Sequence, residues 1–117
     1  MNRSYFRRLI AIAVVLLTTG AGKAVSLYWA DTKVKTGSFA QCMAFAADAM
    51  RLANVQGIRR LPNEVAGSIG QNYAAITCVG TQPNATAIVM VAGENGTETM
   101  RLRDTLRTKI AGMIRFD

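Results

Sequence analysis

The sequence contains no histidine, and it has only two cysteines, two prolines and one tryptophan among its 117 residues. Histidine is the commonest acid–base residue and metal ligand, so its absence removes the most frequent ingredient of catalytic and metal sites. The seven acidic residues are scattered, and no spacing among them predicts a carboxylate pair. The P-loop, G-x-S-x-G and G-x-G-x-x-G motifs are also missing. We therefore expect a non-enzymatic protein without catalytic residues, metal or cofactor.

Two chemical alternatives were weighed against this expectation. Ser68 and Lys109 could form a serine–lysine pair, but no pattern in the sequence brings them together. Met43 and Met50 have the spacing of one helix face, where methionine fills a core far more often than it binds copper. A small hydrolase is therefore kept only as a remote alternative.

Long apolar runs are scarce as well, and the N-terminal one, residues 9–17, has nine residues. Arginines precede it and small residues follow it as far as Ala24, an order typical of a secretory signal peptide. Nine residues are also too few to span a bilayer comfortably. We predict a signal peptide over residues 1–24 and a periplasmic or secreted protein. The alternative is an uncleaved segment, residues 9–22, that anchors the chain in the inner membrane.

The positive charge is concentrated partly in that leader. The whole chain has 14 basic and 7 acidic residues, a net charge of +7. The leader holds four of the basic residues and no acidic one, which leaves 10 against 7 and a net charge of +3. Such a value is ordinary for a soluble domain, so we expect no nucleic-acid binding. Membrane contact is expected only through an uncleaved N-terminal segment.

Both cysteines, Cys42 and Cys78, lie in the part that we expect to be exported. An even number of cysteines in an oxidising compartment predicts a disulfide. Two buried thiols or a redox pair are the alternatives, although the cysteines of a redox pair are usually two residues apart. A bridge closing a loop of this length contributes about 4 kcal/mol in the chain-entropy account.

Residues 73–93 predict a β-hairpin, because two apolar, β-branched-rich runs flank a turn-forming segment at residues 80–84. Alternation places Cys78 on the face opposite that of Tyr73. The second run is apolar on both faces, which indicates a central strand. Residues 64–72 fit either a separate edge strand that turns at residues 70–72 or the start of one long bent strand, and a third, weaker strand is favoured.

Two helices flank the hairpin. Ser38 and Gln41 form a capping-box pattern, and the helix after them is expected to end at Gly57, with Cys42 on its apolar stripe. Asn95 or Thr97 caps a second helix that runs to about Met113. Its basic residues form the candidate interaction surface, for an acidic partner or lipid head groups, although the helix dipole alone also explains them. These residues are Arg101, Arg103, Arg107 and Lys109.

The predicted architecture is a two-layer α+β domain over residues 38–114, in the order α-β-β-(β)-α. Two or three antiparallel strands form its sheet, and two helices pack on that sheet. Residues 25–37 are predicted as a lead-in segment, in which Trp29 is a candidate aromatic anchor for a partner. Arg59 and Arg60 are predicted to lie in a basic connection before residue 64.

The order of a helix with Cys42, the strand A-A-I-T-C-V-G around Cys78, the run T-A-I-V-M-V-A-G-E and a closing L-R-D-T-L-R helix resembles small exported bacterial proteins of uncharacterised function. The likeness covers residues 39–114 and implies export and the disulfide, but no activity. We expect a binding or accessory module of the bacterial envelope, with an envelope protein or an acidic surface as its partner. The alternative is a membrane-anchored subunit of an envelope assembly. The sequence predicts no oligomeric state.

Overall fold

A computed structural model describes residues 24–80 and 83–114. The predicted signal peptide, apart from Ala24, lies outside these residues, and so do Thr81 and Gln82 of the predicted hairpin loop. None of the helices within the described ranges combines the length and the apolar character needed to cross a membrane.

The chain forms five strands and two helices in the order β-α-β-β-β-β-α. All neighbouring strands are antiparallel, and their order across the sheet is β1-β5-β4-β3-β2. The α+β class, the antiparallel sheet and the two helices are therefore as expected. The elements are β1 (Ser26–Lys33), α1 (Phe39–Leu52), β2 (Gln56–Arg60), β3 (Glu64–Ile69), β4 (Asn72–Val79), β5 (Thr86–Gly93) and α2 (Gly96–Gly112).

The expectation of two or three strands is wrong, because the sheet has five. The two missed strands are β1, in the segment predicted as a lead-in, and β2, in the predicted basic connection. Both lie at the edges of the sheet, where half-exposed, polar-rich strands have little apolar periodicity. The third strand is separate from β4, with a turn at Gly70 and Gln71, and it lies between β2 and β4 rather than at an edge.

Both helices pack on the same face of the sheet. Helix α2 contacts β1 and β5, whereas α1 contacts β2, β3 and β4, and the two helices also contact each other. The ladder register places Ala74, Ile76 and Cys78 of β4 beside Val91, Val89 and Ala87 of β5. All six are buried, and together with the inner faces of the helices they form the centre of the core.

Helix α1 begins where the sequence predicts and ends earlier. The Ser38 hydroxyl accepts a hydrogen bond from the Gln41 amide at 3.1 Å, and the Thr36 hydroxyl accepts one from the Ser38 amide at 3.1 Å. At the other end Asn54 takes a φ of +64°, and the Val55 amide donates to the Met50 carbonyl at 3.0 Å. This pattern is a Schellman stop. The predicted stop at Gly57 is wrong, because Asn54 supplies the left-handed residue four positions after Met50.

A disulfide joins α1 to the sheet through Cys42 and Cys78, whose Cα atoms are 6.2 Å apart. Both cysteines are buried, and the bond spans 36 positions of the chain. Small side chains on the inner stripe of α1, among them Ala46 and Ala49, allow the helix to lie close to β4. The predicted disulfide is confirmed, and it is consistent with an extracellular or oxidising compartment.

Helix α2 is attached to the sheet by a buried polar group at its first turn. The Asn95 side chain accepts a hydrogen bond from the Glu98 amide at 3.0 Å, so Asn95, and not Thr97, is the cap. The Thr99 hydroxyl is fully buried and donates to the Asn95 carbonyl at 2.6 Å. It also lies 3.1 Å from the side-chain amide oxygen of Asn72 at the start of β4. Gly93 is required beside this group, because a Cβ there would overlap both Asn72 and Thr99.

Candidate interaction surface

The second face of the sheet has no helix over it in the described part of the chain, and we call it the open face. An antiparallel sheet covered on one side usually places polar residues on the other. Here the β4, β5 and β1 strands place apolar residues there as well. The register assigns to the open face Leu27, Trp29, Asp31 and Lys33 of β1, Thr86, Ile88, Met90 and Ala92 of β5, Tyr73, Ala75, Thr77 and Val79 of β4, Glu64, Ala66 and Ser68 of β3, and Arg59 of β2.

One line of residues crosses all five strands in register: Trp29, Met90, Ala75, Ala66 and Arg59. The two alanines at its centre are 2% and 0% exposed. Arg59 is the ladder neighbour of Ala66, and its Nη2 lies 3.5 Å from the Tyr73 hydroxyl on the same face. The centre of the open face therefore exposes almost no apolar surface, and the accessible apolar side chains of this face lie elsewhere.

That accessible surface is concentrated at β1. Trp29 is 62% exposed and Leu27, two residues before it on the same face, is 61% exposed. Met90 of β5 lies directly beside Trp29 in the ladder and is also exposed. A large aromatic side chain that is mostly in water contributes little to folding stability but can contribute strongly to binding. The candidate anchor Trp29 thus lies in an ordered strand.

The four residues of the predicted basic surface lie on two different sides of α2. Arg103 and Arg107 lie on the side that faces β1. The Arg103 guanidinium bonds to Asp104 at 2.7 and 2.9 Å and lies 5.7 Å from the centre of the Tyr28 ring. Its side chain is only 20% exposed. The Arg107 Nε donates to the Asp31 carbonyl of β1 at 3.0 Å.

Arg101 and Lys109, the other half of that surface, lie on a different side of α2. Both border a shallow cleft on the outer surface of the helix, which Thr105 and Thr108 also line. Arg101 is exposed, and together with Leu102 it also lines a second cleft on the side of α2 that faces the end of α1. The four basic residues therefore present two pairs, of which only the pair Arg103 and Arg107 adjoins β1.

The structure separates the two residues considered for a serine–lysine pair. Ser68 lies on the open face, whereas Lys109 lies on α2, on the opposite side of the sheet. Arg59 and Arg60, which the sequence places in one basic connection, are successive residues of β2, so their side chains point to opposite faces. Within the described ranges, no three potential ligands among cysteine, aspartate and glutamate are grouped as a metal site would require.

Sequence reasoning singled out Trp29 and missed its partners Leu27 and Met90. The signal that could have found Leu27 is its position two residues before Trp29, because residues i and i+2 of a strand share one face. In the structure the burial of residues 26–33 alternates along the whole strand, but the sequence shows no matching alternation of apolar and polar side chains. Asp31 and Lys33 lie on the same face as Leu27 and Trp29 and make the segment look like a polar connection.

Comparison of the chain with protein-family models, with curated proteins and with solved structures returned no match.

Proposed function

We propose that this protein is an exported, non-enzymatic module of the bacterial envelope that binds a protein partner through the β1 side of its open face. The observation that carries the proposal is the exposure of Leu27 and Trp29, side by side on an ordered strand. Exposed aromatic and aliphatic side chains on a rigid element are typical of binding anchors. The disulfide between Cys42 and Cys78 supports an oxidising location.

A second apolar patch provides a matched control. Leu52 and Ile114 are 63% and 48% exposed, and they lie with Met113 around a cleft between the ends of the two helices. The ion pair of Asp48 and Arg51 also borders this cleft. Substitutions there remove a similar exposed apolar area from a different side of the molecule.

Capture of partners from an envelope extract under non-reducing conditions tests the surface. We expect the double variant Leu27→Ser and Trp29→Ser to bind its specific partners about tenfold more weakly, which is the effect of losing one buried anchor side chain. The double variant Leu52→Ser and Ile114→Ser should retain them. Equal loss in both variants, or no loss in either, would reject the β1 side of the open face as the binding surface.

The location needs a separate measurement. Intact mass of the chain from the exported fraction should correspond to cleavage near residue 24, and both cysteines should be oxidised. A full-length chain that stays with the membrane fraction would favour the alternative, a subunit anchored by residues 9–22.

A further inference from the structure

Strand β1 is an edge strand, and the parity of its hydrogen bonds identifies which of its backbone groups point outward. The Val34 amide donates to the Ala85 carbonyl at 2.9 Å, which continues the β1–β5 register and places even-numbered residues toward β5. Arg107 bonds to the Asp31 carbonyl from the outer side, which places odd-numbered residues outward. The two observations agree. The backbone N–H and C=O groups of Leu27 and Trp29 therefore point away from the sheet, where no described strand lies.

The other edge of the sheet is protected against pairing. In β2 the register with β3 shifts between Gln56 and Arg59, and Gly57 takes a φ of +62°. A bulge and charged residues are two of the devices by which proteins prevent edge-to-edge pairing. Strand β1 carries charged residues only at its C-terminal end, Asp31 and Lys33, where Arg107 also occupies the outward Asp31 carbonyl. It has neither a bulge nor a proline over its eight residues, and its ladder with β5 is regular throughout, so the unprotected part of this edge is Leu27 to Trp29.

The two sides of the β1 edge differ in chemistry. On the open face an added strand would meet Leu27 and Trp29, which are apolar and exposed. On the helix face it would meet two arginines of α2: Arg107, which is exposed, and Arg103, which is mostly buried and shares its charge with Asp104. Successive side chains of a strand alternate between these two faces. The edge is therefore complementary to a strand with apolar residues on one face and carboxylates on the other.

A second copy of β1 lacks this complementarity. Its own helix-face residues are Ser26, Tyr28, Ala30 and Thr32, and none of them is acidic. Pairing two β1 edges would also bring the arginines of two α2 helices together at the junction, which is electrostatically unfavourable.

We infer that β1 accepts an extended segment of a partner protein as a sixth strand, and that this segment alternates apolar and acidic residues. The inference rests on the proposed function and names the partner's chemistry. Backbone hydrogen bonds to Leu27 and Trp29 supply the pairing, the apolar residues cover Trp29, and the carboxylates lie beside Arg103 and Arg107. This arrangement uses both the aromatic anchor and the half of the basic surface that adjoins it.

The probe is a synthetic peptide of about ten residues, the length of a long strand, that alternates glutamate and valine. Trp29 is the only tryptophan in the sequence, so its fluorescence in the full-length oxidised chain reports occupancy of this edge directly. Two matched peptides serve as controls: one with the same composition in blocks, and one with N-methyl groups on alternate amides. We expect each control to bind about tenfold more weakly, because the first loses alternation and the second loses backbone donors.

Variants of the protein test the same two contacts. Leu27→Pro removes an outward N–H without touching the ladder with β5, and it should weaken binding about tenfold more than Leu27→Ala does. The double variant Arg103→Glu and Arg107→Glu should bind the glutamate peptide about tenfold more weakly. It should instead prefer a peptide in which lysine replaces glutamate. The matched variant Arg101→Glu with Lys109→Glu carries the same charge change away from β1 and should retain most of the affinity. Thermal unfolding of each variant verifies that it is folded.

Three results would overturn the inference. If the N-methylated peptide binds as tightly as the unmodified one, strand addition is excluded. If the two charge-reversed variants lose affinity for the glutamate peptide equally, the effect depends only on the overall charge of the protein. Sedimentation that detects a dimer dissociated by Leu27→Pro assigns the edge to a second copy. If extract partners depend on Trp29 while the peptide results fail, the proposed function stands and strand addition falls. If the extract partners do not depend on Trp29, the proposed function itself falls.

Discussion

The two edges of the sheet are held and protected in different ways. Strand β2 follows directly from the Schellman stop of α1, lies in the half of the sheet that α1 contacts, and carries a bulge with Arg59 and Arg60. Strand β1 is regular, exposes Leu27 and Trp29, and is fixed on its outer side by a hydrogen bond from Arg107. The comparison teaches that the bulged, charged edge and the regular edge with exposed apolar side chains lie on opposite sides of one small domain.

The largest expected effect comes from removing the covalent link between α1 and the central strand β4. Replacing Cys42 and Cys78 together by alanine should lower the free energy of unfolding by about 4 kcal/mol, because the unfolded chain regains the entropy of the closed loop. Chemical denaturation measures the loss. Hydrogen exchange should show α1 losing more protection than α2, since the link attaches only α1 to the sheet. Equal loss in both helices would contradict the division into two differently held halves.

A proline pair on β1 sharpens the distinction between its two sets of backbone groups. Tyr28→Pro removes an amide that faces β5 and should cost about 3 kcal/mol, whereas Leu27→Pro removes an outward amide and should cost less than about 1 kcal/mol. Denaturant titration of both variants gives the difference. Similar costs would show that the parity assigned to β1 is incorrect.

On the β2 side, Gly67 permits a close approach of chain segments. A Cβ at this position would lie 2.5 Å from Val55 Cγ1 and 2.8 Å from the Gln56 carbonyl oxygen. Gly67→Ala should therefore cost about 2 kcal/mol, which is typical of an overpacked core. Gly112→Ala is the control, because the added carbon at the end of α2 would meet no heavy atom within 4 Å apart from its chain neighbours and the backbone of its own helix. Calorimetric unfolding of the two variants should separate them clearly.

The smallest effects are expected at the helix caps. Ser38→Ala and Asn95→Ala each remove a side-chain acceptor from a first-turn amide and should each cost about 1 kcal/mol. Loss of the Asn95 cap should also increase hydrogen exchange in α2, the helix that positions Arg103 and Arg107, and thereby weaken peptide binding. Ser38→Ala should leave peptide binding unchanged. A reversed order of binding effects would contradict the proposal that a partner strand binds at β1, beside α2.

The central part of the fold could be predicted from local patterns. The apolar runs of residues 73–93 indicate the β4–β5 hairpin, and Ser38 and Asn95 mark both helix starts because caps are local chemistry. The strands β1 and β2 could not be predicted with the same rules. Asp31 and Lys33 in β1, and the arginines in β2, are tolerated because an edge strand keeps one side in water.

The candidate site was predictable only in fragments. Trp29 and the arginines of α2 are separate features of the sequence, because they are 72 or more positions apart in the chain. The sequence also grouped Arg101 and Lys109 with Arg103 and Arg107. Packing of α2 on β1 and β5 divides this group, since only one side of a helix can border a given strand.

The sequence by itself determined the hairpin, the helix starts and the cysteine pair, because alternation, capping and residue chemistry act over a few positions. Tertiary structure alone decided that residues 26–33 form an edge strand, that Arg107 lies beside it, and that Leu27 and Trp29 remain in water. Those features depend on contacts between segments about 50 to 80 positions apart, which pair only when the five strands close into one sheet.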